Sequence, residues 1–589
     1  MYVRIIPFLL LGFMLLGLNP AYAQDNKEEP TIRFNGLGRA GIQQTGVEGP
    51  ILENDTTTAR NLADGEFLLD LAINAAPNEK TEIQSILRLR NEFGGFFGSG
   101  VSVEVRELWA RGLIGDILRY RVGDMDVAMT PYTFFNFQEE GVVNEADLFA
   151  AQREVIHYEQ FYSEGTNTRR VQGAKFDFGL ESAQVIKKVD FSGFAARVRG
   201  TDFFTQPSRY TSGANATIHT FPLMDSLGLM GKIGLNLAHT WDDLQSGEAT
   251  TGIRNTVYSI NFDIDVINDS DIGLSLQGET GNSSLSFKED TLTDYSSEGL
   301  FDFFEINATL DLKNQGLSLT LGYQDIGPDF FSIAAQSRRI DFEREKTFFN
   351  RLGVDRTLRM PSLFDMGRDR ALYTYQLSDR LMPYDPRYSN TRPYGQATAN
   401  RRGVKVGVQF KDKKEIIDLD VTAYLLSEIR GQGTTELKDF QLIRAKSDFY
   451  LDRLIGWKNQ LKLSLGVQYE QTSRDGLDVE QVDLSSTLID AGLTAELFPR
   501  FDLLLGAKIL SAEGNEYIPR ISEFNQVEDF PAPYIVDDTE TLLGAGIRYR
   551  FKEGVYITCQ YQRFSYERAT DTSDAYDLDQ LFVLYSMDF

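Results

Sequence analysis

The sequence predicts an all-β chain, a single transmembrane antiparallel up-and-down β-barrel of about 22 strands, within a range of 20–24. Three patterns carry this: segments that alternate apolar and polar residues, connections that alternate between tight and long, and the lack of an apolar run long enough for a helical span. A membrane-crossing helix needs about 18 or more apolar residues, and beyond the first 23 residues no such run occurs. Hydrophobic residues make up 42% of the chain and glycines number 50, a composition that suits strands joined by many tight turns. The net charge of −27 argues against a nucleic-acid or anionic-membrane-surface binder.

Residues 1–23 read as a cleaved signal peptide. Arg4 supplies the positive start, Ile5 to Leu18 the apolar run, and Ala21-Tyr22-Ala23 the small-x-small site. The expected mature unit is then 24–589, exported through the general secretory pathway and built as one barrel. Cys559 is the single cysteine, so an intramolecular disulfide is impossible.

From residue 31 onward the alternation is continuous. Tyr258, Ile260, Phe262, Ile264 and Val266 share one face, and Ser259, Asn261, Asp263 and Asp265 the other. Leu461, Leu463, Leu465, Val467 and Tyr469 alternate in the same way with Lys462, Ser464, Gly466, Gln468 and Glu470. A polar face meets water and an apolar one meets lipid, and a tilted crossing strand takes about 9–11 residues. Connections separate this from a soluble sandwich. Pro77-Asn-Glu-Lys80, Gly115-Asp116, Asn268-Asp-Ser-Asp271, Pro499-Arg500 and Lys552-Glu-Gly554 are tight, whereas 131–168, 328–402 and 512–539 are long. Turn-tolerant residues fill the tight set. The sorting predicts short periplasmic turns and long extracellular loops, with both chain ends on the periplasmic side.

The last stretch sets Leu581, Val583, Tyr585, Met587 and Phe589 on one face, against Gln580, Ser586 and Asp588, with Phe582 and Leu584 among the polar set. It resembles the closing strand of bacterial outer-membrane β-barrels. The resemblance implies a Gram-negative outer-membrane location, surrounding lipid, and Tyr585, Met587 and Phe589 as part of the signal read by the barrel-assembly machinery. The strand is expected to pair antiparallel with the segment near 31–44. The strand number also invites comparison with TonB-dependent transporters. Only Gln24 to Pro30 precede the first strand, however, too few residues for the plug domain that family carries there.

Three features could carry function. The first is a charge ladder on the lumen wall, Arg88, Arg90, Glu104, Arg106, Arg119 and Arg121, either a transverse field that sorts solutes or a stiffening ion-pair network. Beyond Arg121 the polar face changes parity to Asp124 and Asp126, which predicts a bulge near Gly123. The second is the long segment 328–402, expected to turn inward as a constriction or plug, with an extracellular cap as the alternative. It holds thirteen arginines, among them Arg338, Arg339, Arg344, Arg351, Arg356, Arg359, Arg368, Arg370 and Arg387. The third is loop 131–168, with Phe134, Phe135, His157 and Tyr158, which reads equally as lid, binding surface or interface aromatics.

Enzymatic and metal readings are weak. The chain has three histidines, His157, His219 and His239, in no clear triad, although Asp242 follows His239 closely. No cysteine or histidine metal spacing occurs, and Asp571-Thr-Ser-Asp574 reads as a solvated turn before a calcium loop. No cofactor is implied. The expected function is that of a porin-like channel for passive diffusion of small polar solutes through a charged lumen. The alternative is a barrel subunit of an outer-membrane secretion, surface-assembly or motility complex.

Overall fold

The computed structural model describes residues 32–53, 60–92, 101–137, 140–158, 168–181, 186–201, 207–220, 230–244, 252–289, 293–337, 364, 383–518 and 531–589. The signal-peptide reading of 1–23, and Arg338, Arg339, Arg344, Arg351, Arg356, Arg359, Arg368 and Arg370, lie outside them.

Twenty-two strands form one sheet. The first half of the wall comprises β1 (Ile32–Glu48), β2 (Asn61–Asn78), β3 (Thr81–Glu92), β4 (Val101–Ile114), β5 (Leu118–Val127), β6 (Arg169–Glu181), β7 (Ile186–Arg199), β8 (Ser208–Thr220), β9 (Met230–Asp243), β10 (Gly252–Asn268) and β11 (Ile272–Glu289). The second half comprises β12 (Thr293–Leu312), β13 (Leu317–Ile326), β14 (Arg401–Lys411), β15 (Ile417–Ser427), β16 (Asp439–Tyr450), β17 (Leu461–Arg474), β18 (Val482–Phe498), β19 (Phe501–Ile518), β20 (Ala532–Lys552), β21 (Val555–Arg568) and β22 (Tyr576–Asp588). Each pairs antiparallel with the next, and β22 pairs antiparallel with β1 from Leu37↔Asp588 to Glu48↔Asp577. The sheet is therefore closed and up-and-down, the architecture of an outer-membrane β-barrel. Closure gives every strand a neighbour on both sides, so the sheet has no free edge, as lipid demands.

The two faces are chemically distinct. Val101, Val103 and Val105 on β4, Leu319 and Leu321 on β13, and Leu543 and Ile547 on β20 are exposed on the outer face. Ser259, Ser464, Gln468 and Glu470 lie on the opposite face and are buried. In lipid the outward side chains leave water, each worth about 1.5–3 kcal/mol. Phe582 and Leu584 follow the inward parity of Gln580 and Ser586 and are buried with them. Their place among polar residues makes sense only if something apolar fills the lumen beside them.

Among the described connections, tight turns join β2 to β3, β4 to β5, β10 to β11, β12 to β13, β18 to β19 and β20 to β21. Gly115 and Asp116 take φ of 59° and 62°, a left-handed pair that glycine and aspartate tolerate best. Gly123 takes φ of 103°, and the β4–β5 pairing stops at Trp109↔Gly123. The Leu108 backbone N–H donates to Asp124 Oδ2 at 2.7 Å beyond that point. The expected bulge is absent from the β5–β6 ladder, which runs unshifted from Arg119↔Asp177 to Val127↔Arg169; the pairing with β4 instead ends at Gly123, with a side chain taking over from the ladder. A second irregularity lies in β4, where the register with β3 shifts between Ile86 and Leu87.

Candidate functional site in the lumen

Two stretches of chain run inside the wall, because their partners are inward-facing strand residues. From the β5–β6 connection, residues 140–158 form a strap that contains helix α1 (Asp147–Ile156). From the β13–β14 connection, residues 328–337 and 383–400 lie against β10–β13 and β15–β20.

The strap is seated on glycine. A Cβ added to Gly466 would lie 2.7 Å from Asn144 N, at Gly492 2.7 Å from Ala146 Cα, at Gly506 2.7 Å from Phe149 and at Gly544 2.6 Å from Leu148. Gly492↔Gly506 and Gly506↔Gly544 are register partners, so three neighbouring strands leave one transverse groove. Leu148 and Phe149 fill it and pack with Leu504, Leu542 and Phe564 of the wall. Polar groups fix the ends. Asp490 accepts from the N–H groups of Val143 and Asn144 at 2.9 and 3.1 Å. Lys508, wholly buried, donates to the Gly141 carbonyl at 3.0 Å and to Glu145 at 2.8 Å. Burial alone would raise the Glu145 carboxyl, but Arg153 and Lys508 outweigh it and hold the group at about 2.

The far end of the strap reaches the first strands. Arg88 and Arg106 both pair with Asp70 at 2.7 Å, and Tyr158 donates its hydroxyl to the same carboxylate. The expected ladder is divided by this arrangement. Arg88 and Arg106 converge on Asp70, with Glu104 at the register position beside Arg88. Arg90 faces Glu66 at 3.7 Å, Arg121 pairs with Glu107 at 3.1 Å, and Arg119 pairs with Asp177. Asp70 is the inward residue between Leu69 and Leu71, directly opposite Arg88, a register that the sequence alone does not give.

Residues 383–400 are held by buried charge. Arg387 meets Asp385 at 2.7 Å and both Asp538 and Glu540 at 3.0 Å, while Tyr388 donates to Glu540 at 2.7 Å. Glu470 accepts from the N–H groups of Asn390 and Thr391, both at 2.9 Å. A further contact joins the β5–β6 and β13–β14 connections, as Phe135–Phe137 and Ala335–Ser337 pair in parallel. Tyr132 stacks on Phe303 at 4.0 Å and donates to Glu305, and burial with that carboxylate pushes its phenol well up.

Two adjoining cavities of about 1220 and 680 Å³ remain along β1–β8 and open at the short-turn end, beside Lys80 and Asp116. The larger carries Arg33, Lys80, Arg111, Arg119, Arg121 and Lys175 against Glu79, Glu82 and Asp177, so its lining is net cationic in an acidic protein. Arg111↔Arg121 and Arg121↔Lys175 are direct register partners. Like charges so placed repel, and pairing with Glu82 and Glu107 offsets this only partly.

The remaining candidates are occupied otherwise. Asp242 is bound by Arg209 at 2.7 Å, and His239 contacts Thr256 at 2.8 Å and stacks on Trp241. Asp571 accepts from Ser573 N at 3.0 Å and Asp574 pairs with Arg568 at 3.2 Å. Among the described residues no cluster of three or more metal-ligating side chains occurs.

No family model matches the chain, and no curated protein matches it. Among solved structures it is similar to the ferric citrate transporter FecA in the unliganded form, at 9% identity and TM-score 0.47, covering 96% of this chain and 80% of that one. The copper transporter OprC aligns at 10% identity and TM-score 0.45, covering 95% and 82%. A BenF-like porin from Pseudomonas fluorescens Pf-5 aligns at 8% identity and TM-score 0.33, covering 95% and 99%.

Proposed function

We propose that this barrel is a porin-like channel of the outer membrane for passive diffusion of small polar solutes, with anions favoured. The carrying observation is the net cationic larger cavity along β1–β6, open at the short-turn end. A low-dielectric wall focuses the field of Arg111, Arg121 and Lys175 into the lumen, concentrating anions there. The strap and residues 383–400 restrict passage on the β15–β20 side. Planar-bilayer recording of the refolded protein tests this: ion conductance with an anion-selective reversal potential is expected. A protein that stays impermeable even when the strap is deleted would overturn it.

The glycine groove supports a second reading, a permanently occluded barrel that serves as a subunit of an outer-membrane secretion, surface-assembly or motility complex. Stoichiometric co-purification of partners from detergent, with no conductance, would favour it. On either reading the chain is exported as a precursor cleaved after Ala23, and Tyr585, Met587 and Phe589 serve the assembly machinery. N-terminal sequencing of the membrane-extracted protein checks the cleavage.

A further inference from the structure

Arg39 on β1 has 5% of its surface exposed, and its Nε and Nη1 are buried without a hydrogen-bond partner. Arg88 and Arg106 share Asp70, but no ion pair reaches Arg39 among the described residues. Buried guanidinium groups are nearly always paired, since an isolated one forfeits its hydration for nothing. The group does not stand alone in space. The Tyr158 ring lies 5.2 Å from Arg39 Cζ, 3.5 Å from that of Arg106 and 5.6 Å from that of Arg88. Three guanidinium groups from three strands thus approach one aromatic ring. A ring face partly disperses a cation's charge, but it cannot meet the in-plane N–H donors of Arg39.

We propose that Arg39 and Arg106 form an internal anion site, covered by Tyr158, that takes one small oxyanion, a carboxylate or a phosphate. Nε and Nη1 of Arg39 lie on different edges of the guanidinium plane, so each has an in-plane N–H free to donate a charge-assisted hydrogen bond to an oxyanion oxygen. Tyr158 lies just beyond the end of α1, so moving its ring aside opens the site while the groove contacts of Leu148 and Phe149 persist. The anion would supply the missing partner of Arg39 and lie in the field of Arg106, whose Nη1 stays on Asp70. The site is independent of whether the barrel conducts.

Isothermal titration of the full barrel in detergent, at constant ionic strength, tests it with sodium phosphate and sodium acetate against sodium chloride. Saturable one-to-one binding of at least one oxyanion is expected. Arg39→Gln should weaken it at least tenfold and abolish any anion-dependent rise in Tm, Tyr158→Ala should tighten it, and Arg453→Gln on a distant turn should leave it unchanged. Arg39→Gln removes an unpaired charge, so the barrel should still fold, and heat-modifiable migration on gels verifies this. Binding of phosphate alone, or of acetate alone, would assign the ligand class. Absence of saturable binding in both the parent protein and Tyr158→Ala, or equal binding by Arg39→Gln, overturns the proposal.

Discussion

Phe589 and Gly36 exchange both backbone hydrogen bonds across the seam, Gly36 N–H to the Phe589 carbonyl at 2.9 Å and Phe589 N–H to the Gly36 carbonyl at 3.1 Å. The Phe589 ring covers the glycine, where a Cβ would lie 2.9 Å from it and 2.2 Å from the Asp70 carbonyl oxygen. Gly36→Val is therefore expected to block the last step of closure. Heat-modifiable migration on gels should show little assembled barrel, whereas Gly41→Ala, with only a methyl contact near 4.0 Å, should assemble normally.

The groove under the strap is as tight. Gly506→Val places a branched side chain against Phe149 and should cost about 1–3 kcal/mol by overpacking. Protease cleavage within 140–158 should rise, and single-channel conductance should increase if the strap is what narrows the path. Unchanged protection would mean that the wall, not the strap, gives way.

Arg387 holds three acidic residues together away from water. Arg387→Met leaves Asp385, Asp538 and Glu540 without their shared cation, at a cost of about 3–5 kcal/mol. A lower urea midpoint would record that loss. Restoring neutrality with Asp538→Asn and Glu540→Gln should recover much of it.

Replacing Arg111, Arg121 and Lys175 with glutamine should shift the reversal potential toward cation preference severalfold. Arg88→Gln should do little to selectivity, because Arg88 and Asp70 are both about 2% exposed and their fields largely cancel. An unaltered reversal potential in the triple variant would reduce the row to wall structure.

Acid should release the strap. Burial works against the Glu145 carboxylate, but Arg153 and Lys508 lower it from an ordinary 4.5 to about 2. A group depressed on folding stabilises above its unfolded value and loses that contribution as pH falls through its folded one. Seating should hold above about pH 4.5 and fail between there and pH 2, read as proteolysis of 140–158 against pH. Glu145→Gln should flatten the profile in that window.

Strand number and pairing were readable because the lipid-facing alternation repeats in nearly every segment and turn chemistry marks one end. Phe582 and Leu584 were a legible clue to a filled lumen, since apolar residues on a water-facing parity need a cover. The glycines were not legible. Composition assigns them to tight turns, yet Gly492, Gly506 and Gly544 lie in mid-strand and matter through a segment hundreds of residues away. The role of 131–168 was undetermined for the same reason, because its partners Asp490 and Lys508 carry no local mark of what they bind. Asp70 escaped notice because one aspartate on an alternating strand is ordinary until its register with Arg88 is known.

The glycine groove also bears on how the molecule comes into being. Asn144 donates to the Leu465 carbonyl, 321 residues later in the chain. The strap therefore has no seat until β17 to β20 are in the wall, whatever the order in which the strands join. Filling the interior is a long-range event, the kind of step that loop-closure entropy makes slow. A chain stalled before β20 would be an open sheet with its future occupant still outside.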